Sequence, residues 1–111
     1  MSLKYRDELF EGHTIRKVTD DNNVTWYCAK DILEALEYKN LTSIVMMLKP
    51  IPEYWKGLKT FSTPGGKQQM LCLCREGINL LLEGSYKDKA KEFREWVAGL
   101  VSTENILMEV A

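Results

Sequence analysis

The stretch Thr25-Trp26-Tyr27-Cys28-Ala29-Lys30-Asp31-Ile32-Leu33-Glu34-Ala35-Leu36-Glu37-Tyr38 constrains this chain most, because the apolar period changes inside it. Trp26, Tyr27 and Cys28 are bulky, strand-prone residues, whereas Ala29, Ile32, Leu33 and Leu36 recur at i, i+3, i+4 and i+7. A strand must therefore run into a helix near Ala29 with almost no turn between them. Asp31 and Glu34 fall in the first helical turns, where negative charge suits the positive end of the helix dipole. A second helix is expected from Leu41 to Lys49, capped by Asn40 or Thr42. Its period predicts a buried face of Leu41, Ile44, Val45 and Leu48 and an outward face of Thr42, Ser43, Met46, Met47 and Lys49. Two short helices joined by Glu37-Tyr38-Lys39-Asn40 have the outline of a helix-turn-helix, which raises nucleic acid as a partner.

The flanking segments supply hairpins and further helices. Leu9-Phe10 and Thr14 to Thr19 read as short strands around a tight turn at Glu11-Gly12-His13, and Asp20-Asp21-Asn22-Asn23 turns the chain back into the strand that opens the organising stretch. Met1 to Asp7 shows little pattern. Pro50 and Pro52 end the second helix, and Glu53 to Lys56 forms an aromatic linker. Gly57 to Ser62 and Gln68 to Cys74 read as a second hairpin around Thr63-Pro64-Gly65-Gly66-Lys67. Pro64 presets one dihedral there, and Gly65 allows the positive φ of a type II turn. On its second strand Met70, Cys72 and Cys74 alternate with Leu71 and Leu73, so both faces are expected to be covered, as in a central strand. Glu76 to Glu83 is a short helix ended by Gly84 and Ser85. Lys87 to Val101 is the longest helix, with Ala90, Phe93, Val97, Leu100 and Val101 as its core stripe. The fold expected is α+β, small antiparallel hairpins packed with about four helices in a single domain. It divides into a module over residues 8–103, a leader over 1–7 and an apolar tail over 104–111 whose Ile106, Leu107, Met108 and Val110 suit docking on the domain or on another copy.

At 111 residues the chain has the size of one ordinary domain, and 45% hydrophobic with 28% charged residues is the composition of a folded protein. No apolar run approaches the roughly 20 residues of a membrane span and no secretory signal is visible, so a cytoplasmic location is expected, with no membrane partner. The net charge of −1 hides an asymmetry. From Tyr38 to Arg75, six cations (Lys39, Lys49, Lys56, Lys59, Lys67 and Arg75) are opposed by Glu53 alone, so the surrounding segments carry the acidic excess. That distribution suits a surface that faces a polyanion.

Catalytic and metal chemistry find no matching pattern. Cys72-x-Cys74 lacks the tight-turn spacing of structural zinc sites, Cys28 is remote, and His13 is the single histidine, placed in a surface turn. Asp20-Asp21 is explained by the turn it makes. Gly65-Gly66-Lys67 lacks the Walker spacing and sits in a hairpin, so no nucleotide cofactor is expected; its lysine alone is a candidate phosphate contact. Among the tryptophans, Trp55, between prolines and lysines, is the one to test for a binding role. No catalytic residue, cofactor or metal is assigned.

Several segments together resemble one family. Phe10-Glu11-Gly12-His13, Trp26 to Tyr38, Thr63-Pro64-Gly65-Gly66-Lys67-Gln68, Glu76-Gly77 and Phe93-Arg94-Glu95-Trp96-Val97 look like the BRO-N domain, the amino-terminal module of baculovirus repeated-ORF proteins and of many phage antirepressors. The resemblance spans Glu8 to Val101. It implies a non-enzymatic, DNA-binding α+β module encoded by a phage, prophage or large DNA virus, often followed by a different carboxy-terminal domain. In relatives the segment matching Thr42 to Lys49 tends to carry arginine, lysine or histidine; here Met46 and Met47 stand instead. Combined with the charge distribution, the resemblance gives Lys39, Asn40, Thr42, Ser43, Lys49, Lys56, Lys59 and Lys67 as nucleic-acid-binding candidates, in a regulatory protein of the bacterial host cytoplasm. The competing expectation is an interaction module that engages a repressor or forms a homodimer through its exposed methionines and apolar tail.

Overall fold

A computed structural model describes residues 3–85 and 87–110, with side chains as far as Leu100. The chain runs β1 (Lys4–Phe10), β2 (His13–Thr19), β3 (Thr25–Cys28), α1 (Ala29–Ala35), α2 (Leu41–Leu48), a 3₁₀ turn (Glu53–Trp55), β4 (Lys56–Thr63), β5 (Gly66–Leu73), α3 (Arg75–Glu83) and α4 (Lys89–Val110). The strands form one antiparallel sheet in the order β1-β2-β3-β5-β4, so the α+β fold expected from the sequence is found.

The turn chemistry explains the hairpins. Glu11 (φ 45°) and Gly12 (φ 83°) both take positive φ, as a two-residue type I′ turn requires, and set Phe10 opposite His13. Asp20 Oδ1 accepts the backbone N–H groups of Asn22 and Val24, closing the β2–β3 turn, with Asn23 at φ 62°. In the β4–β5 turn the positive φ falls on Gly66 (106°), not on Gly65, which corrects the type II reading. Thr63 pairs with Gly66, and the Thr63 hydroxyl donates to the Gly66 carbonyl at 2.6 Å. β1 begins at Lys4, well before the expected Leu9, and pairs with β2 along its whole length. Its alternation is masked in sequence because charged residues occupy both faces, as suits an edge strand.

The change from strand to helix occurs at Ala29, as the period predicts. It leaves β2 without a β3 partner beyond Lys17↔Tyr27. Asp31 fills that gap. Its Oδ2 accepts the Arg16 backbone N–H at 2.9 Å and Nε at 2.8 Å, and its Oδ1 accepts Nη2 at 2.7 Å. The carboxylate, expected only to complement the helix dipole, is 5% exposed and bonds to the strand in place of a missing neighbour. The end of α1 is a Schellman motif: Tyr38 N–H reaches the Leu33 carbonyl and Glu37 N–H the Glu34 carbonyl, with Glu37 at φ 71° where glycine is usual.

The two faces of the sheet carry separate apolar clusters. On one, Phe10, Ile15, Tyr27 and Leu73 pack beneath the helices with Ile32, Leu36, Ile78 and Phe93. Phe10 meets Phe93 at 4.9 Å and Trp96 at 5.4 Å between ring centroids, locking α4 to the first hairpin. On the far face Val18, Cys28, Phe61 and Cys72 form a small cluster flanked by Trp26 and Met70. β1 and β4 are opposite edges of the sheet, yet the Tyr5 hydroxyl donates to the Thr60 carbonyl at 2.8 Å and the Tyr5 ring meets Phe61 edge-on at 5.5 Å. The sheet therefore curls over its far face until its edges touch, which buries Phe61 without any helix above it. Interior strand β5 is covered on both sides at Cys72 and Leu73, as expected.

α2 departs from expectation. None of its residues is fully buried; Ile44, Met47 and Leu48 turn toward the core, while Leu41 is 74%, Val45 56% and Met46 61% exposed. The helix is apolar on nearly every side, so its period fixes no single buried face, and packing selects the Met47 side. The core stripe of α4 holds at Ala90, Phe93 and Val97, with Leu100 half-buried. The readings that concern the Val101, Ile106, Leu107, Met108 and Val110 side chains, and Met1-Ser2, lie outside the described residues.

Replacing Asp31 removes the acceptor of an N–H group and the counter-charge of a half-buried guanidinium at once. Asp31→Ala is expected to destabilise the domain by about 3 kcal/mol. Asp31→Asn, which keeps an acceptor oxygen, is expected to cost less. Urea unfolding midpoints of the two variants check the order, and equal stability of wild type and Asp31→Ala would remove the role given to this contact.

Candidate nucleic-acid interface

The candidate lysines fall on two parts of the fold. Lys39 and Asn40 lie exposed in the α1–α2 turn, where Asn40 Oδ1 accepts the Thr42 N–H at 2.8 Å and so caps α2. Thr42 is exposed beside this cap, Ser43 is half-buried, and Lys49 is exposed at the far end of α2, about 14 Å from Asn40 along the helix at about 1.5 Å per residue. The other three lysines sit on the β4–β5 hairpin.

Within that hairpin the register separates them. Residues directly opposite each other in an antiparallel pair share a face. Lys56 stands opposite Leu73 and Lys67 opposite Ser62, both on the helix-bearing face; Lys59 stands opposite Met70 on the far face. Lys56 Nζ is 3.2 Å from Glu53 Oε1 and its side chain is 13% exposed, so its charge is partly answered within the chain. Lys67 is exposed beside the turn. Lys59 lies over the Trp26 ring, with Nζ 4.9 Å from the centroid. That indole is itself held, because its Nε1–H donates to Asp20 Oδ2 at 3.0 Å. Asp20, Trp26 and Lys59 thus form a chain of contacts that presents one cation at the rim of the far-face cluster.

The hairpin carries no carboxylate between Glu53 and Glu76. Its exposed side chains around the cations are Thr60, Ser62, Gln68 and Gln69. The sequence reading missed Thr60, Ser62 and Gln69 as surface chemistry. The available signal was period 2: Thr60 and Ser62 flank the buried Phe61 and must point the opposite way.

The thiols point away from chemistry. Cys28, Cys72 and Cys74 are buried and unbridged, Cys28 and Cys72 being register partners across β3 and β5. Burial raises all three thiols, and pushes Cys72 up to about 12. Among the described residues no group of histidine, cysteine and carboxylate side chains could hold a metal ion, and no helix is long and apolar enough to cross a membrane. Trp55, singled out for a binding role, is half-buried against the main core, and its carbonyl accepts the Cys74 N–H at 3.2 Å. A Cβ on Gly77 would lie 2.9 Å from that carbonyl, so the glycine is what lets α3 approach the 3₁₀ turn.

The family model for the N-terminal domain of the BRO family, Bro-N, matches residues 14–107. The chain belongs to this family. No curated protein and no solved structure matches it. The motifs that carry the resemblance are mostly scaffold in this Bro-N domain: Phe10, Phe93 and Trp96 stack on one another, Trp26 to Tyr38 is the strand and helix joined at Ala29 and tied to β2 by Asp31, and Gly77 admits Trp55. Of those motifs, the two hairpin turns, at Glu11-Gly12-His13 and at Pro64-Gly65-Gly66-Lys67, face solvent, and only the second carries a candidate lysine.

The indole bond lowers the Asp20 carboxyl below the usual aspartate range, with help from the Val24 and Asn22 amides. A lowered folded-state value means stability that is complete above the ordinary aspartate range and is lost as the pH falls through the lowered value. The Trp26 indole N–H resonance is therefore expected to titrate with a midpoint below that of an ordinary aspartate. Asp20→Asn should abolish the titration; its persistence in that variant would sever Asp20 from Trp26.

Proposed function

We propose that this Bro-N domain is a non-enzymatic DNA-binding regulatory module of an antirepressor-like protein, encoded by a phage or prophage and working in the cytoplasm of a bacterial host. The observation that carries the reading is the β4–β5 hairpin, which brings Lys56, Lys59 and Lys67 onto a ribbon free of carboxylates in a chain of net negative charge. Family membership supports it. Lys59 and Lys67 hold phosphates from the two faces of the ribbon, Lys56 adds a partly neutralised charge at its base, and Lys39, Asn40, Thr42, Ser43 and Lys49 are flanking contacts from the two ends of α2. No cofactor takes part.

A second reading rests on a different surface. Leu41, Val45 and Met46 form an exposed apolar stripe on α2, beside a cleft of about 380 Å³ lined by Met46, Met47, Pro50, Ile51, Leu80 and Leu81. Such a surface suits a protein partner, a repressor or a second copy, and offers nothing to a phosphate. Self-association through this stripe predicts a dimer in sedimentation at high protein concentration that Val45→Lys dissociates. A monomer in both samples would remove the second copy from the reading.

DNA binding by the ribbon predicts affinity for duplex DNA that falls steeply with salt as bound counterions are released. Each lysine lost from a phosphate contact is expected to reduce the slope of log affinity against log salt by about 0.9, so Lys59→Gln with Lys67→Gln should reduce it by about 2. Fluorescence anisotropy on a labelled duplex measures both quantities. Binding that ignores salt, or none at low salt, would overturn the proposal.

A further inference from the structure

We infer that the outward face of the β4–β5 ribbon enters the DNA major groove and reads base edges there, with Gln69 and Thr60 as the specificity-determining pair. The inference rests on the DNA-binding reading above and goes beyond it, because phosphate contacts from lysines position a protein without telling one sequence from another.

The two faces of the ribbon differ: the far face is packed at its middle, at Phe61, and the other is open along three pairs. Phe61 is 4% exposed and packs against Tyr5, while the Tyr5 hydroxyl donates to the Thr60 carbonyl at 2.8 Å. These contacts fix the far face of the ribbon to β1 and turn the other face outward. That face presents three cross-strand pairs in register: Leu58 with Leu71, Thr60 with Gln69, and Ser62 with Lys67. Thr60, Ser62, Lys67 and Gln69 are exposed, and Leu58 is 63% exposed. The helices cover this face only at the inner end of the ribbon, around Leu73.

Its chemistry is that of a reader more than of a clamp. An exposed ribbon protected only against aggregation is commonly studded with charge. Beyond Lys56, which is 13% exposed at the base and paired with Glu53, the open part of this face carries one cation, no carboxylate, two hydroxyls, one carboxamide and an exposed leucine. A duplex excludes carboxylates near its phosphates but rewards neutral donor and acceptor groups that reach base edges. The Gln69 carboxamide sets an N–H donor beside a carbonyl acceptor, the pattern that matches adenine N7 and N6; Thr60 beside it donates or accepts; Leu58 suits a thymine methyl. Lys67, next to the turn, remains a phosphate contact.

The dimensions agree. The major groove is about 12 Å wide and admits a two-stranded ribbon whose strands lie about 4.8 Å apart. Successive pairs on one face stand about 6.8 Å apart, so three pairs span about 14 Å, or about four base pairs at 3.4 Å each. The polar pair Thr60 and Gln69 lies at the centre of that span.

The test is selection of the full chain on a pool of random-sequence duplexes, followed by affinity measurements on the enriched site and on an unrelated duplex. The expected outcome is a core of about four base pairs that includes an A·T pair. Gln69→Ala should lose about 5- to 150-fold in affinity for that site, with unchanged affinity for the unrelated duplex, and Thr60→Ala should relax preference at an adjacent position. Both residues are exposed, and circular dichroism of each variant verifies the fold. Salt-sensitive binding that enriches no sequence, or an enriched site whose preference survives Gln69→Ala, would overturn base reading by the ribbon while leaving DNA binding in place. Failure of the wild-type chain to bind any duplex at low salt would overturn both.

Discussion

The contact between Asp31 and Arg16 is the constraint on which the arrangement of this domain depends. A strand that turns into a helix without a loop abandons its neighbour in the sheet, and an abandoned backbone N–H that is shielded from water costs as much as a lost hydrogen bond. Asp31 meets that cost from within the helix itself, and its second oxygen takes the guanidinium of the same residue. The arginine is held charged by this partner, its proton far harder to remove than in water. Because α1 is fixed to β2 in this way, the helices are committed to one face of the sheet. The other face is left to be closed by the sheet's own curvature.

That curvature makes the N-terminal strand part of the candidate interface. β1 carries no candidate binding residue, but Tyr5 links it to β4 across 55 positions of sequence and supplies the ring that shields Phe61. Without it the β4–β5 ribbon would be an exposed two-stranded hairpin, an element of marginal stability on its own. With it the ribbon is anchored along one face, so Thr60 and Gln69 are presented at a fixed height and register. A preorganised surface of this kind loses little conformational freedom on meeting a rigid duplex.

Elements whose local chemistry admits one solution were legible in the sequence. The change of period at Ala29, the aspartate turn at Asp20 and the breaks at Pro50 and Gly84 all fall where the residues place them, as do the core positions of α4 at Ala90, Phe93 and Val97. The misses share a cause, which is degeneracy. α2 is apolar on nearly every side, so no pattern could choose between a buried Val45 and a buried Met47. Gly65 and Gly66 are equally permissive, so composition could not say which takes the positive φ. The surface lysines posed the same difficulty in another form: a lysine's place in sequence does not reveal that Lys59 lies over an indole on one face while Lys67 points out from the other.

The charge asymmetry of the sequence thus resolves into two surfaces of opposite chemistry. Six cations between Tyr38 and Arg75 suggested a surface that faces a polyanion. In the fold the exposed stripe of α2 is Leu41, Val45 and Met46, with polar and cationic groups toward its ends, whereas the ribbon is hydroxyl- and amide-rich with cations on both faces. An apolar helix laid against a duplex would dehydrate phosphates and return no hydrogen bond to them, a cost that the lysines at its ends could not offset. On the ribbon reading proposed above, the helix-turn-helix outline is not the element that meets the groove. A domain that engages DNA through the ribbon leaves the apolar stripe of α2 free, so the two proposed surfaces do not compete for one face, as they would if α2 were the recognition helix.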